Sequence, residues 1–371
     1  MAKVRIAILP GDGVGQDVIE ATMPVLRKLG VDAEYTYGDI GWDFWCKEGN
    51  ALPERTTKLL KETDACLFGA ITSKPKEDAA AELDPSLRGQ GLSYFSPIVR
   101  LRQEFDLFTN LRPCKAYPGN SLNYKEGIDL VIFRENTEGM YAGVEFRPLP
   151  DVVRAALATH PKMKPFKDVP ADEIAVSTRI MTRKGCRRIV EAAFEYARLK
   201  NRRSVTLVEK PNVLRETGGL MLETAREVAK QYPDIVFKDA NVDAICMWLL
   251  KNPFDYDVLV AENLFGDIIS DLAAQLVGGL GFACSGNIGT NYAVFEPTHG
   301  SAPKYAGLYK VNPIATFLAA ELMLEWLGET GKAKALDGAV SEVIREGAVR
   351  TYDMGGKSST LDMGRAVIEK L

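Results

Sequence analysis

The stretch "ILPGDGVGQDV" (residues 8–18) leaves an apolar run, turns on three glycines and starts a helix. Whether that turn cradles a dinucleotide decides the fold. Gly11, Gly13 and Gly15 give the spacing GxGxG, and Gln16 stands where the GxGxxG fingerprint needs its third glycine for helix–strand packing. The loop therefore reads as a tight turn near a site and not as a Rossmann phosphate cradle. Outward from it, short β-branched runs recur: "KVRIAIL", "DACLFGAI", "DLVIFREN", "SVTLVEK", "DVLVAEN" and "YAVFEP". Helical periodicity lies between most of them, over 15–29, 97–108, 184–200, 215–231, 264–280 and 312–328. This alternation predicts an α/β protein with substantial parallel sheet. Residues 147–172, with five prolines and several lysines, break the alternation and read as an exposed excursion or arm.

A length of 371 residues suggests about two domains, and the apolar (46%) and charged (26%) shares are those of ordinary globular proteins. Forty-six basic against fifty acidic residues give a net charge of −4, which argues against general binding of nucleic acid. The basic cluster "RKGCRRIVEAAFEYARLKNRR" (183–203) has apolar residues at helical spacing and reads as a charged helix surface. Six cysteines (46, 66, 114, 186, 246, 284) are scattered without a CxxC, which fits a reducing cytoplasm and excludes a clustered zinc site. No apolar run approaches a membrane span, and the first residues enter a strand without a signal-peptide pattern. The expectation is a soluble, cytoplasmic protein.

Chemistry concentrates in a few stretches. "ENLFGDIISDLAAQLVGGLG" (262–281) carries Phe265, Ile268, Ile269, Leu272, Ala273, Leu276 and Val277 at helical spacing, with Asp267 and Asp271 one turn apart on the opposite face. Like charges at that spacing repel by a few tenths of a kcal/mol. They mark either a solvated face or a cation site, and Asp243 in "DANVDAICMW" offers a third carboxylate. Three aspartates with water and substrate oxygens would suit Mg²⁺ or Mn²⁺. "YFSPIVRLRQEFDLFTNLRP" (94–113) places Ser96 as an N-cap before Pro97, with Arg102 and Arg112 beyond; the helix N-terminus could also attract an anion. "VIFRENTEGMYAG" puts Arg134 at a strand end and Tyr141 in the loop after it, and "VTLVEKPNVLRETGG" puts Lys210 at another strand end. The three arginines together make a clamp for a di- or tricarboxylate, although each alone is more often a surface ion pair. "GGLGFACSGNIG" and "FEPTHGSAPKYAGLYKVNP" are small-residue loops whose amides could meet a pyrophosphate.

In this order, "NLRP", "RENTEGMYAG", "NLFGDIISDLAA" and "FEPTHGSAP" resemble the β-decarboxylating dehydrogenases that act on isocitrate, homoisocitrate and 3-isopropylmalate. The similarity runs from "ILPGDGVGQDV" to "YDMGGKSSTLDMGRAV". The resemblance implies a two-domain fold, with 1–101 and 279–371 as the cofactor-binding domain and 102–278 as the smaller one. It also implies a homodimer with shared active sites, or a higher oligomer. By the resemblance, Arg102, Arg112 and Arg134 hold the malate-type carboxylates, Ser96 meets the variable substituent, and Asn212 also contacts substrate. Asp267 and Asp271 bind the metal together with Asp243 of the partner subunit. Lys210, also from the partner, helps to remove the hydroxyl proton, and Tyr141 protonates the enol after carbon dioxide leaves. The cofactor residues implied are Thr72, Glu296, His299, Gly300, Ser301, Ala302, Lys304, Tyr305, Asn312 and Tyr352.

Members using NAD usually carry an acidic residue directly after "HGSAP"; Lys304 here suits a 2′-phosphate, and NADP is expected, with NAD the alternative. Gly356 stands where NADP-type isocitrate enzymes commonly have an arginine. Isopropylmalate enzymes line this helix with leucines, whereas Ser96 and Arg100 here are polar and favour isocitrate or its one-carbon-longer homologue; Ile98 stands where isocitrate enzymes often have an asparagine, and "SPIVRLR" is also similar to archaeal-type homoisocitrate dehydrogenases. Regulatory subunits of this family bind without turnover, but one would be expected to lose Tyr141, Lys210 or an aspartate. A metal-dependent phosphohydrolase would leave Tyr141 and "THGSAP" without a role.

Overall fold

A computed structural model describes residues 3–371. Among the described residues ten strands form one mixed sheet: β1 (Val4–Gly11), β2 (Ala33–Tyr37), β3 (Ala65–Ala70), β4 (Thr109–Lys115) and β5 (Asp129–Glu135) come first in the chain. A separate two-stranded ribbon joins β6 (Glu145–Phe146) to β7 (Val176–Ser177). Then follow β8 (Ser204–Glu209), β9 (Val236–Asn241), β10 (Val258–Ala261), β11 (Cys284–Ile288) and β12 (Ala293–Pro297). The order across the large sheet is β2-β1-β3-β12-β11-β4-β5-β10-β8-β9. Parallel pairing holds β2-β1-β3-β12 and β5-β10-β8-β9, with helical crossovers covering both faces. The antiparallel pairs β12–β11, β11–β4 and β4–β5 form a seam between these blocks. Strands from residues 4–70 and 284–297 lie on one side of the β11–β4 pairing, and strands from 109–261 lie on the other.

All six β-branched runs are strands of this sheet. The helices Val14–Lys28, Arg183–Leu199 and Arg215–Ala229 follow their periodicity closely. The helix begun by Ser96-Pro97 stops at Glu104, short of the expected 108, because Asp106 takes a positive φ and the chain turns into β4. The expected arm at 147–172 holds a short helix, Asp151–Leu157, and a 3₁₀ turn, Pro161–Phe166, neither burying a residue. No described helix is long and apolar enough to cross a membrane.

The seam positions the site. Alternation puts Leu111, Phe133 and Phe295 on one face, where they join the large core with Phe317 of the Ile314–Trp326 helix. The same alternation puts Asn110, Arg112, Arg134, Ser285, Asn287 and Glu296 on the other face. Two helices flank that polar strip. Leu101 of Pro97–Glu104 packs with Val294 and Phe68, while Ile269 and Ala273 of Asn263–Leu276 pack with Ile132. The site is the gap between them.

The opening glycine turn closes against this region. Gly13 has φ +54°, and a Cβ there would lie 2.2 Å from the Ser301 carbonyl oxygen. A Cβ on Gly15 would lie 2.3 Å from Pro10 O and 2.6 Å from Ala70 N. Val14 N donates to Ser301 O at 2.9 Å, and Asp12 Oδ2 accepts from Thr72 N at 2.8 Å. The glycines thus bring three strand-end loops together, the work of a tight turn.

Candidate active site

Arg102, Arg112 and Arg134 converge as the sequence reading required, and all three are buried. Arg134 grips Asn263 Oδ1 through Nε (2.9 Å) and Nη2 (2.8 Å), and its Nη1 meets Asp267. Arg112 donates from Nη1 to Ser270 Oγ at 2.7 Å and to Asp271 Oδ1 at 2.9 Å, with Asp267 Oδ1 3.4 Å from Nη2. Arg102 donates from Nε to Asn287 Oδ1 at 2.9 Å and stands 3.4 Å from Glu296. Burial lowers the pKa of Arg102 and of Arg134, opposed by Glu296 in the first case and Asp267 in the second. Buried guanidinium groups aimed at one gap are a poor arrangement for folding alone and a good one for binding an anion.

Asp267 is half-buried, whereas Asp271, one turn on, is exposed and pairs with Arg112. Asp267 is clasped by Arg134, Arg112 and the Tyr141 hydroxyl, which donates to Oδ2 at 2.5 Å. Tyr141 lies under Arg134, whose guanidinium is 4.9 Å from the ring centre. Burial and the bond to Asp267 raise the Tyr141 pKa, so its proton is retained at neutral pH. The helix bearing the aspartates is started by Glu262, whose carboxylate accepts from Phe265 N at 2.7 Å and faces Arg179.

Lys210 and Asp243 pair with each other instead, at 2.5 Å, and the ammonium holds the Asp243 carboxyl below the usual range. Among the described residues of one chain, no three His, Cys, Asp or Glu side chains meet to hold a metal ion. Asn212 is exposed two residues beyond Lys210.

The loop after β12 borders the arginines. A cavity of about 240 Å³ is lined by Ser96, Arg102 and Arg112 together with Glu296, His299 and Gly300. His299 is held by burial in its neutral form; Nδ1 lies 3.0 Å from Gly300 O, while buried Nε2 has no partner. Thr72 Oγ1 and Ser301 Oγ are 2.6 Å apart. Ala302 has φ +35° and turns the chain into Pro303–Tyr305, with the Lys304 ammonium 4.9 Å from the Tyr305 ring and Tyr305 against Tyr352. Asn312 Oδ1 accepts from Ile314 N, and Nδ2 donates to Asp353 at 3.1 Å. Gly356 has a packing reason: a Cβ there would sit 2.0 Å from Arg350 O, so no arginine fits.

Ser96 occupies the N-cap position of its helix, but its side chain makes no capping bond, so the expected capping role is not the one it plays. It lines the arginine cavity and a second one of about 900 Å³, bordered by Leu92, Phe95, Val99, Arg100 and Tyr141. Arg100 there is tied to Asn50 Oδ1 at 2.9 Å and Leu52 O at 3.2 Å.

Sequence reasoning missed three buried asparagines, Asn110, Asn136 and Asn287, which connect the arginines to Glu296. A signal existed. Asparagine is depleted in strand interiors, so Asn110 and Asn287 inside β4 and β11 needed a reason.

A family model described as isocitrate/isopropylmalate dehydrogenase matches residues 5–367. The chain is 43% identical over 366 residues to the protein DlpA of Legionella pneumophila, covering 99% of this chain but only 58% of that protein's length. It is 41% identical over 367 residues to the 3-isopropylmalate dehydrogenase of Archaeoglobus fulgidus, covering 99% of each. The crystal structure of isocitrate dehydrogenase from Methylococcus capsulatus matches with a TM-score of 0.85 at 38% identity, covering 99% of both chains. A match over nearly all residues, on a fold that gathers the arginines, paired aspartates and post-β12 loop, places this chain in the isocitrate/isopropylmalate dehydrogenase family.

Proposed function

We propose that the protein catalyses metal-dependent oxidative decarboxylation of a 3-substituted malate, with isocitrate to 2-oxoglutarate and NADP as the leading assignment. One observation carries this: the cavity whose walls are Arg102 and Arg112 on one side and Glu296, His299 and Gly300 on the other. A hydroxy acid gripped there by its carboxylates lies against the loop that would receive a dinucleotide, which suits hydride transfer. The side-chain nitrogen of His299, buried without a partner, supports a ligand at that loop.

Asp267 and Asp271 offer two hard oxygen donors on one helix face, and the partner subunit's Asp243 would complete the set for Mg²⁺ or Mn²⁺. Exposed Met247, Leu250 and Ile268, on adjoining helices, support a second copy packing there. When bound, the cation supplies Lewis acidity toward the substrate hydroxyl and the nicotinamide accepts the hydride. The chain supplies the rest. Its arginine forks hold the carboxylates bidentately, Lys210 relays the hydroxyl proton, and Tyr141 delivers a proton to carbon after decarboxylation. The β11–β4 pairing is our domain boundary, with 1–101 and 279–371 on the cofactor side.

Lys304 is exposed beside the Tyr305 ring, which favours a 2′-phosphate. A second substrate reading rests on the 900 Å³ cavity: with Arg100 tied down, Leu92, Phe95 and Val99 favour an apolar substituent such as isopropyl. Turnover with isocitrate, homoisocitrate and 3-isopropylmalate, each with NADP and NAD in magnesium, tests both. Failure of all three in well-folded protein sinks the enzymatic reading.

A further inference from the structure

Asn287, fully buried on β11, touches both sides of the site at once. Its Oδ1 accepts from Arg102 Nε at 2.9 Å, Asn110 Nδ2 at 2.8 Å and Asn136 Nδ2 at 3.0 Å. Its Nδ2 donates to Glu296 Oε1 at 2.7 Å and to Val294 O at 3.3 Å. The partners fix the amide orientation, since a flip would turn nitrogen toward three donors and oxygen toward a carboxylate. Asn110 extends the arrangement, because its Oδ1 accepts from Arg112 Nε at 2.7 Å. Arg102 is thus held by its Nε on Asn287 and Arg112 by its Nε through Asn110, while one oxygen of Glu296 is held from the other end of the Asn287 amide.

We infer that Asn287 is a positioning residue that sets Arg102 and Arg112 in register with Glu296, coupling substrate placement to cofactor placement. The inference rests on the roles proposed above for those three residues. A neutral amide is required. A carboxylate keeps the acceptor but faces Glu296 with like charge, and an apolar side chain strands three buried donors.

Asn287→Asp isolates the Glu296 arm, since the oxygen side survives. It should lose at least about tenfold in kcat/KM, chiefly through KM for the dinucleotide. Glu296→Gln has a loss of its own. In N287D/E296Q the new amide donates to the new carboxylate, so the double variant should be no worse than E296Q alone. Unchanged kinetics in N287D, or a double variant that loses the product of the single losses, overturns the inference. A role confined to folding would lower the melting temperature without this rescue. If N287D does not fold, Asn287→Ser is read for KM of the hydroxy acid: a rise of about tenfold supports the coupling and no rise overturns it. If the wild type turns over none of the substrates, the functional reading fails separately. Calorimetry with NADPH and malate then decides: weaker NADPH binding by N287D supports the inference, and equal binding overturns it.

Discussion

Replacing Ser96 by leucine separates substrate recognition from helix capping. An N-cap serine whose hydroxyl closes the first turn costs about 1 kcal/mol to remove. Here the hydroxyl makes no such bond, so folding stability should change by only a few tenths of a kcal/mol. Ser96 lines both the arginine cavity and the 900 Å³ cavity, where, on the proposed binding mode, the substituent at C3 of the malate would pass. For isocitrate that substituent ends in a carboxylate. Losing a hydrogen bond to a charged group costs about 1.5–3 kcal/mol, and apolar bulk against the charge adds to it. At about 1.4 kcal/mol per decade, kcat/KM for isocitrate should fall roughly tenfold to a hundredfold in Ser96→Leu. Activity toward 3-isopropylmalate should fall less or rise, because its isopropyl group has no charge to strand. The assay is paired kinetics on both substrates with a melting curve on the same preparation. Equal losses on both substrates at unchanged melting temperature would refute the argument that Ser96 reads the substituent.

Lys304→Asp should lower the ratio of NADP to NAD efficiency by at least about tenfold, because an acidic group repels the 2′-phosphate and suits the ribose hydroxyls; an unmoved ratio would show that position 304 does not read it. Asp243→Asn and Asp267→Asn should each be nearly inactive, yet refolding an equal mixture should recover about a quarter of wild-type activity, since half the dimers then hold one intact site. No recovery in mixed dimers would place both aspartates in one chain's site. On the far side of the seam, burial and the nearby Asp337 push the Glu321 carboxyl up to about 8. The folded form then binds the proton more tightly than the unfolded chain, so its stabilising effect is full below the ordinary carboxylate range and is lost as pH rises through about 8. Denaturant titrations from pH 5 to 9 should show the wild type losing on the order of 3 kcal/mol more than Glu321→Gln; parallel curves would contradict it.

Composition and periodicity determined a good deal without any tertiary information. Strand–helix alternation announced the α/β class, and the glycine spacing at 11, 13 and 15 excluded the dinucleotide fingerprint because that signal is local backbone chemistry. The arginines, Tyr141, Lys210 and the three aspartates could be nominated as candidates because short windows display residue type, strand ends and helix faces. Tertiary structure decided which of them meet. Arg112 and Asp271 are 159 residues apart in the chain, and Arg102 and Asn287 are 185 apart, so no window contains either pair. The antiparallel seam brings them together, and its two-residue alternation assigns asparagine and arginine to one face and Leu111, Phe133 and Phe295 to the other. Ser96 shows the converse: the local rule for an N-cap put it at a helix start, but in the folded chain its side chain makes no capping bond and the residue lines two cavities. Local sequence specifies conformation and chemical type, whereas partnership between distant side chains depends on strand order and register, which arise only when the whole sheet forms.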